Sequence, residues 1–127
     1  MNHKSFRFEK LEVWQQARKF NRRIYEATRN FPEIERYTLL SQMRRASVSV
    51  SSNIAEGSGR NSDADFAHFL EIAYGSLMEV ISQLFLAKDE EYIDQTLLNG
   101  ILDEAHVIAA QIAALSKTLG RLPRRTL

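Results

Sequence analysis

Arg18, Lys19, Arg22, Arg23, Tyr25 and Arg29 crowd one short stretch of the chain. On a helix of 3.6 residues per turn, Arg18, Arg22, Tyr25 and Arg29 fall in one line, with Lys19 and Arg23 alongside. Only Glu26 interrupts them. Guanidinium groups bind phosphate oxygens in a fork and stack on flat faces, and a tyrosine among them adds a stacking surface. The pattern fits phosphate contacts along a nucleic acid, with occasional base stacking. It also fits an ordinary solvated helix face.

Residues able to do covalent or acid–base chemistry are scarce. The serines between Ser47 and Ser52 have no evident histidine or lysine base beside them, so a nucleophile is not expected. The Glu-x-x-His pair of di-iron bundles is absent. His68-x-x-Glu71 reverses its order, and His106 follows Glu104 too closely. Neither Arg45 nor Arg60 precedes a histidine at the spacing used by helical-bundle ribonucleases. Gly57-Ser58-Gly59-Arg60 lacks the spacing of a phosphate-binding loop and reads as a capped turn. No catalytic residue, metal site or cofactor is expected, and the chain reads as a non-enzyme.

At 127 residues the chain fits one domain over 1–127 with a real core. It has no cysteine, which excludes disulfides and thiolate chemistry. No apolar run approaches a membrane span, and Met1 to Lys10 lacks the apolar segment of a signal peptide. A bacterial cytoplasmic setting, without a membrane partner, is the expectation. Charge is unevenly spread: residues 1–60 hold twelve Lys/Arg against six Asp/Glu, and residues 61–127 hold five against ten. A basic and an acidic face follow. The basic one would meet nucleic acid or, alternatively, the acidic side of a neighbouring subunit or helix.

Four helices position these groups. Residues 1–8 read as a loose arm, with Phe8 able to staple the first helix. Leu11, Trp14, Ala17, Phe20, Ile24, Ala27 and Phe31 give that helix, about 9–30, one apolar face. Pro32 ends it. A second helix runs from about 34 to 56, with Tyr37, Leu40, Met43, Val48 and Ile54 as core contacts and Gly57 or Gly59 as its C-cap. Val48 and Val50 alternate with serines as in a strand, but no partner strand exists elsewhere. Ser62 and Asp65 open a third helix, about 63–88, whose two apolar rows (Phe66 to Leu84, and Tyr74, Met78, Ile81 and Phe85) predict burial on two sides. Asp89, Glu90 and Glu91 belong to the next connection, and Tyr92 and Ile93 plug the bundle end. Asp94 caps a fourth helix, carried by Leu98 to Leu122 and ended by Gly120 and Pro123. Arg121, Arg124 and Arg125 form a basic tail over 121–127. The fold class is all-α, an antiparallel up-down-up-down four-helix bundle.

The second helix is unusual from residue 42 onward, because small serine and alanine side chains cover most of its circumference. It suits close packing, either within the core or also at a subunit interface. The blocks Gln42-x-Arg44-Arg45-Ala46-x-x-Ser49-x-x-x-Asn53-Ile54-Ala55-Glu56-Gly57 and Phe66-x-x-Phe69-Leu70-x-Ile72-Ala73-x-Gly75-Ser76-x-x-Glu79 carry a family resemblance. Over residues 8–119 the chain resembles the four-helix-bundle proteins encoded in intervening sequences of bacterial large-subunit ribosomal RNA genes. It is similar also to the accessory proteins of diversity-generating retroelements. Members often carry proline at the position of Ser51. The resemblance implies a homo-oligomeric ring, commonly a homopentamer, and no enzyme activity.

If the second and third helices pair about the turn near residue 60, Glu79 faces Gln42 and lies within a turn of Arg45. A buried Arg45–Glu79 ion pair, with Ser76 or Gln42 donating to the carboxylate, is the expectation. Gln42, Arg44, Arg45, Ser49, Asn53, Glu56, Gly57, Gly75, Ser76 and Glu79 are therefore read as structural or interface residues, with Arg44 and Arg45 as candidates to line an interface or pore. The functional expectation is a homo-oligomer that binds RNA or DNA through Arg18, Lys19, Arg22, Arg23, Tyr25 and Arg29. The alternative is an adapter docking on a partner protein such as a reverse transcriptase.

Overall fold

The structure, a computed structural model, describes residues 3–120. The basic tail, with Leu122 and Pro123, lies outside the described residues. Among the described residues there is no strand: a 3-10 turn at Arg7–Lys10 leads into α1 (Glu12–Thr28), a second 3-10 turn at Glu33–Glu35 into α2 (Leu39–Ser58), and then come α3 (Asp63–Asp89) and α4 (Gln95–Thr118). Each helix packs on its neighbours in chain order and α4 closes on α1, which leaves α1 and α3 across one diagonal and α2 and α4 across the other. This is the antiparallel bundle that the apolar spacing predicts. Ala17, Phe20, Ile24, Met43, Val50, Ile54, Leu70, Leu77, Leu84, Leu98, Ile101 and Ile108 fill its centre.

The helix ends follow local chemistry. Ser62 Oγ accepts from Asp65 N at 3.1 Å, and Asp94 Oδ1 from Leu97 N at 2.8 Å, so both expected caps form. Gly120 takes φ +80° just beyond α4, a left-handed stop. The α3 end uses the same device with a different residue: Tyr92 N reaches Ala87 O at 2.9 Å and Glu91 N reaches Lys88 O at 3.0 Å, with Glu91 at φ 64°. Asp89 is still helical, one residue beyond the expected break. Ile93 is buried and the Tyr92 ring packs 5.0 Å from Phe31, closing that end of the bundle.

Several expectations are corrected. The α helix of the second element starts at Leu39 rather than 34, because Glu35 sits in a 3-10 turn. Its carboxylate accepts from the Thr38 hydroxyl at 2.5 Å, Leu39 N at 3.4 Å and the Tyr92 hydroxyl at 2.8 Å. Tyr37 and Val48 are exposed rather than core. Of the two glycines expected to cap α2, Gly59 is the C-cap, whereas Gly57 lies inside the helix, where a Cβ would come within 2.7 Å of Phe69 Cβ and 2.9 Å of Phe66 Cδ1. The arm is not loose from residue 3 onward. Glu9 accepts from Phe6 N at 2.7 Å, Phe8 packs edge-on to Trp14 at 4.8 Å, and the Arg7 guanidinium lies 5.0 Å over the Phe66 ring.

One helix contradicts its expected environment. By length and composition alone α3 is apolar enough to cross a membrane, contrary to the expectation that no apolar run approaches a span. It packs between α2 and α4, yet only 33% of its most apolar window is buried. Ile72, Met78, Phe85 and Leu86 remain exposed on its outward side, so the second apolar row is covered on one flank only.

Candidate nucleic-acid interface

The basic row of α1 does not end with the helix. Pro32 turns the chain, and Phe31, buried beside it, pins the connection against the bundle end. The 3-10 turn then folds back toward the first half of α2. Between α1, this turn and α2 lies a cleft of ≈ 910 Å³, whose lining includes Tyr25, Arg29, Arg36, Tyr37, Arg44 and Arg45. Four guanidinium groups thus face one carboxylate, Glu33, which Arg36 meets at 3.4 Å. Phe31, Leu40 and Val48 add an apolar part to the wall.

Arg44 is the fixed member of the set. Its Nε donates to the Thr28 hydroxyl at 2.9 Å, one terminal nitrogen donates to the Tyr25 carbonyl at 3.3 Å, and the guanidinium stacks 4.5 Å from the Tyr25 ring. The last turn of α1 has no basic residue of its own, so Arg44 brings a cation from α2 to the negative end of the α1 dipole. Thr28, fully buried, in turn donates to the Ile24 carbonyl at 2.8 Å.

The other predicted cations separate into two groups. Arg18, Arg22 and Arg29 stay exposed in line with the cleft; Arg18 lies 5.6 Å over Trp14, and Arg22 makes a loose 3.8 Å contact with Glu26. Arg29 and Arg45 form no ion pair among the described residues. Arg23 is drawn the other way. It pairs with Glu104 of α4 at 3.2 Å, and one of its terminal nitrogens would be 3.0 Å from a Cβ at Gly100, so this glycine leaves room for it. Lys19 is exposed on the same flank.

Arg36 and Tyr37 were not expected as site residues, because a helix from 34 onward turns Tyr37 into the core, whereas the 3-10 turn before Leu39 leaves it exposed. The available signal was an Arg-Tyr pair just past a helix-breaking proline. Among the described residues, no three His, Cys, Asp or Glu side chains cluster as metal ligands.

Comparison with known proteins supplies the context for this geometry. The model of the family described as 23S rRNA-intervening sequence protein matches residues 9–114. The chain belongs to this family. A crystal structure of a protein of unknown function from the S23 ribosomal protein family of Bacteroides thetaiotaomicron is 27% identical, with a TM-score of 0.74 over 83% of this chain and 98% of that one. A comparison with curated proteins gave no match.

The residues that carried the family resemblance are mostly occupied at the α2–α3 seam. Ser76 Oγ donates to Ser49 Oγ at 2.9 Å, and Asn53 Nδ2 donates to Ser49 Oγ at 2.9 Å and to the Ser49 carbonyl at 2.8 Å. Gly57 admits Phe66 and Phe69, and Glu56 pairs with Arg60 at 2.8 Å. The expected Arg45–Glu79 pair does not form. Both residues are exposed, Glu79 accepts from Gln83 at 3.3 Å, and Gln42 is exposed as well. The backbone register of the two helices is offset by about one turn from the one that midpoint counting gives: a Cβ on Gly57 would meet Phe69 Cβ, and Ser76 meets Ser49 rather than Arg45.

Gly75, like Ile72 and Glu79 of the same motif block, is exposed on α3, and nothing lies within 4 Å of a Cβ built there. A helix-interior glycine costs about 1 kcal/mol relative to alanine, and packing within one chain does not explain it.

Proposed function

We propose that this protein is a non-enzymatic, homo-oligomeric bundle that binds RNA or DNA as a scaffold or accessory factor in the bacterial cytoplasm. The carrying observation is the continuity of the exposed Arg18, Arg22 and Arg29 row with the cleft formed by Arg36, Arg44 and Arg45. Cations along that line can meet successive phosphates, and phosphate contacts dominate nucleic-acid affinity.

Self-association is supported by the outward face of α3. Ile72, Met78, Phe85 and Leu86 are exposed there together with Gly75, whose missing side chain allows another backbone to approach. That face lies across the bundle diagonal from α1, so assembly through it leaves the basic row open. A ring, five-membered by family resemblance, would repeat the row in every subunit and raise avidity. The same apolar face favours a second reading, an adapter that docks on another protein.

The test is fluorescence anisotropy with labelled structured RNA and duplex DNA over a salt series. Wild type is compared with an Arg18/Arg22/Arg29→Glu variant of equal helicity and mass. Binding that weakens with salt and is lost in the variant is the expected result. Absence of binding by wild type at low salt overturns the nucleic-acid reading and leaves the adapter. A monomer mass by light scattering at micromolar concentration ends the oligomer proposal.

A further inference from the structure

The cleft beside Tyr37 has a shape and a chemistry that a row of surface cations lacks. Tyr37 is 81% exposed, and Arg36 lies 5.3 Å over its ring, on one side. The stacked Arg44–Tyr25 pair lines the cleft with it, as do the apolar Leu40 and Val48. A solvated inorganic ion gains little from such walls. A nucleobase gains from them directly, because every base has a flat π-face that stacks on tyrosine or on a guanidinium plane. Arg29 and Arg45, free of ion pairs among the described residues, are available for the attached phosphate. The cleft, ≈ 910 Å³ and open to solvent, has room for one base with its phosphate.

A duplex offers this cleft phosphates alone, since its bases are stacked inside, whereas an unpaired base also offers a π-face to Tyr37. Resting on the nucleic-acid reading above and narrowing it, we propose that the cleft takes one unpaired nucleotide of a single-stranded RNA or DNA. The base stacks on Tyr37, the phosphate lies among Arg29, Arg36 and Arg45, and the strand continues along α1. The helical rise puts Arg22 roughly 10 Å and Arg18 roughly 16 Å from Arg29 along the axis, so the same strand meets further cations beyond the cleft. The site therefore distinguishes single strands from duplexes through its shape and its tyrosine, whereas the α1 row attracts both.

The experiment compares a short labelled single strand, as RNA and as DNA, with the same DNA sequence as a blunt duplex, at one salt concentration. The full-length protein and its Tyr37→Ala variant are both measured; Tyr37 lies outside the core, so the variant keeps its helicity. The expected result is a single-strand preference of about tenfold, the scale of one base–aromatic stack. Tyr37→Ala should remove most of that preference while duplex binding stays unchanged. A 2-aminopurine in the single strand should report stacking through a fluorescence change with wild type that the variant lacks. Equal or tighter binding of the duplex, or a preference that Tyr37→Ala retains, overturns the cleft proposal and leaves the nucleic-acid reading standing. No binding of either form overturns both. Free AMP bound as tightly as the strand overturns the proposal in favour of a free-nucleotide site.

Discussion

The Ser76 hydroxyl donates to the Ser49 hydroxyl at 2.9 Å across the α2–α3 seam, and the same Ser49 oxygen accepts from Asn53. One oxygen thus uses both of its acceptor positions to join the two most closely packed helices. Ser76→Ala should destabilise by about 0.5–1.5 kcal/mol, the usual net worth of one such bond. Ser49→Ala should cost more, because the Ser76 hydroxyl loses its acceptor and Asn53 is left with the Ser49 carbonyl alone. The double variant should fall short of the sum of the singles, as expected for a shared network. Urea denaturation of the three variants checks this.

Gly57→Ala should destabilise by about 1–3 kcal/mol through overpacking, because the new methyl meets Phe69 Cβ, which belongs to a backbone-proximal atom and not to a flexible tip. The measurement is a chemical melt. An unchanged midpoint would show that α3 can move away from α2 at this corner without loss.

Gly75→Ala should act oppositely on two quantities. It should raise the intrinsic stability of α3 by about 1 kcal/mol, the glycine-to-alanine difference in a helix interior. If the outward face of α3 joins subunits, it should also weaken assembly, read as a drop in mass by light scattering on dilution. A more stable protein with unchanged mass would place the subunit contact elsewhere.

Glu91→Gly should stabilise by about 1 kcal/mol, since Glu91 holds a left-handed conformation that costs a residue with a Cβ about that much. Thermal unfolding of this variant provides the check. Loss of stability would mean that the Glu91 side chain makes a compensating contribution.

Stability should also depend on pH through Glu35 and Tyr92. Hydrogen bonds from the Thr38 hydroxyl first, and then from Tyr92, hold the Glu35 carboxyl below its ordinary value. The unfolded chain therefore binds this proton more readily, so the stabilisation is present above about pH 4.3, the unperturbed glutamate value, and is lost as pH falls through the lower folded value. Its partner shifts the other way: the bond to Glu35 pushes the Tyr92 hydroxyl up. That contribution is present below about pH 10, the unperturbed tyrosine value, and is lost as pH rises through the folded one. Tyr92→Phe should flatten the acid and alkaline limbs of the stability profile together.

The helices and their core faces were legible in the chain because burial repeats every three or four residues from Leu11 to Leu119, and because Ser62, Asp94 and Gly120 act through neighbours a few positions away. The candidate site was legible only in part. The Arg18–Arg22–Arg29 line survives because it belongs to one helix. Arg23 leaves it for Glu104, and Arg36 and Tyr37 join it, because these outcomes depend on a second element.

What the sequence alone determined is therefore the set of local choices: four amphipathic helices, their caps, and membership of a family marked by the Asn53-to-Gly57 and Gly75-to-Glu79 blocks. Only the tertiary structure decided which side chains meet across those helices. The axial offset of α3 against α2, seen also where Gly57 meets Phe69, brought Ser76 to Ser49 and left Glu79 in solvent. The fold-back at Pro32 put Arg36 and Tyr37 opposite Arg44 and Arg45, turning separate basic residues into a cleft. Both depend on the relative placement of elements in space, which a helical period does not encode.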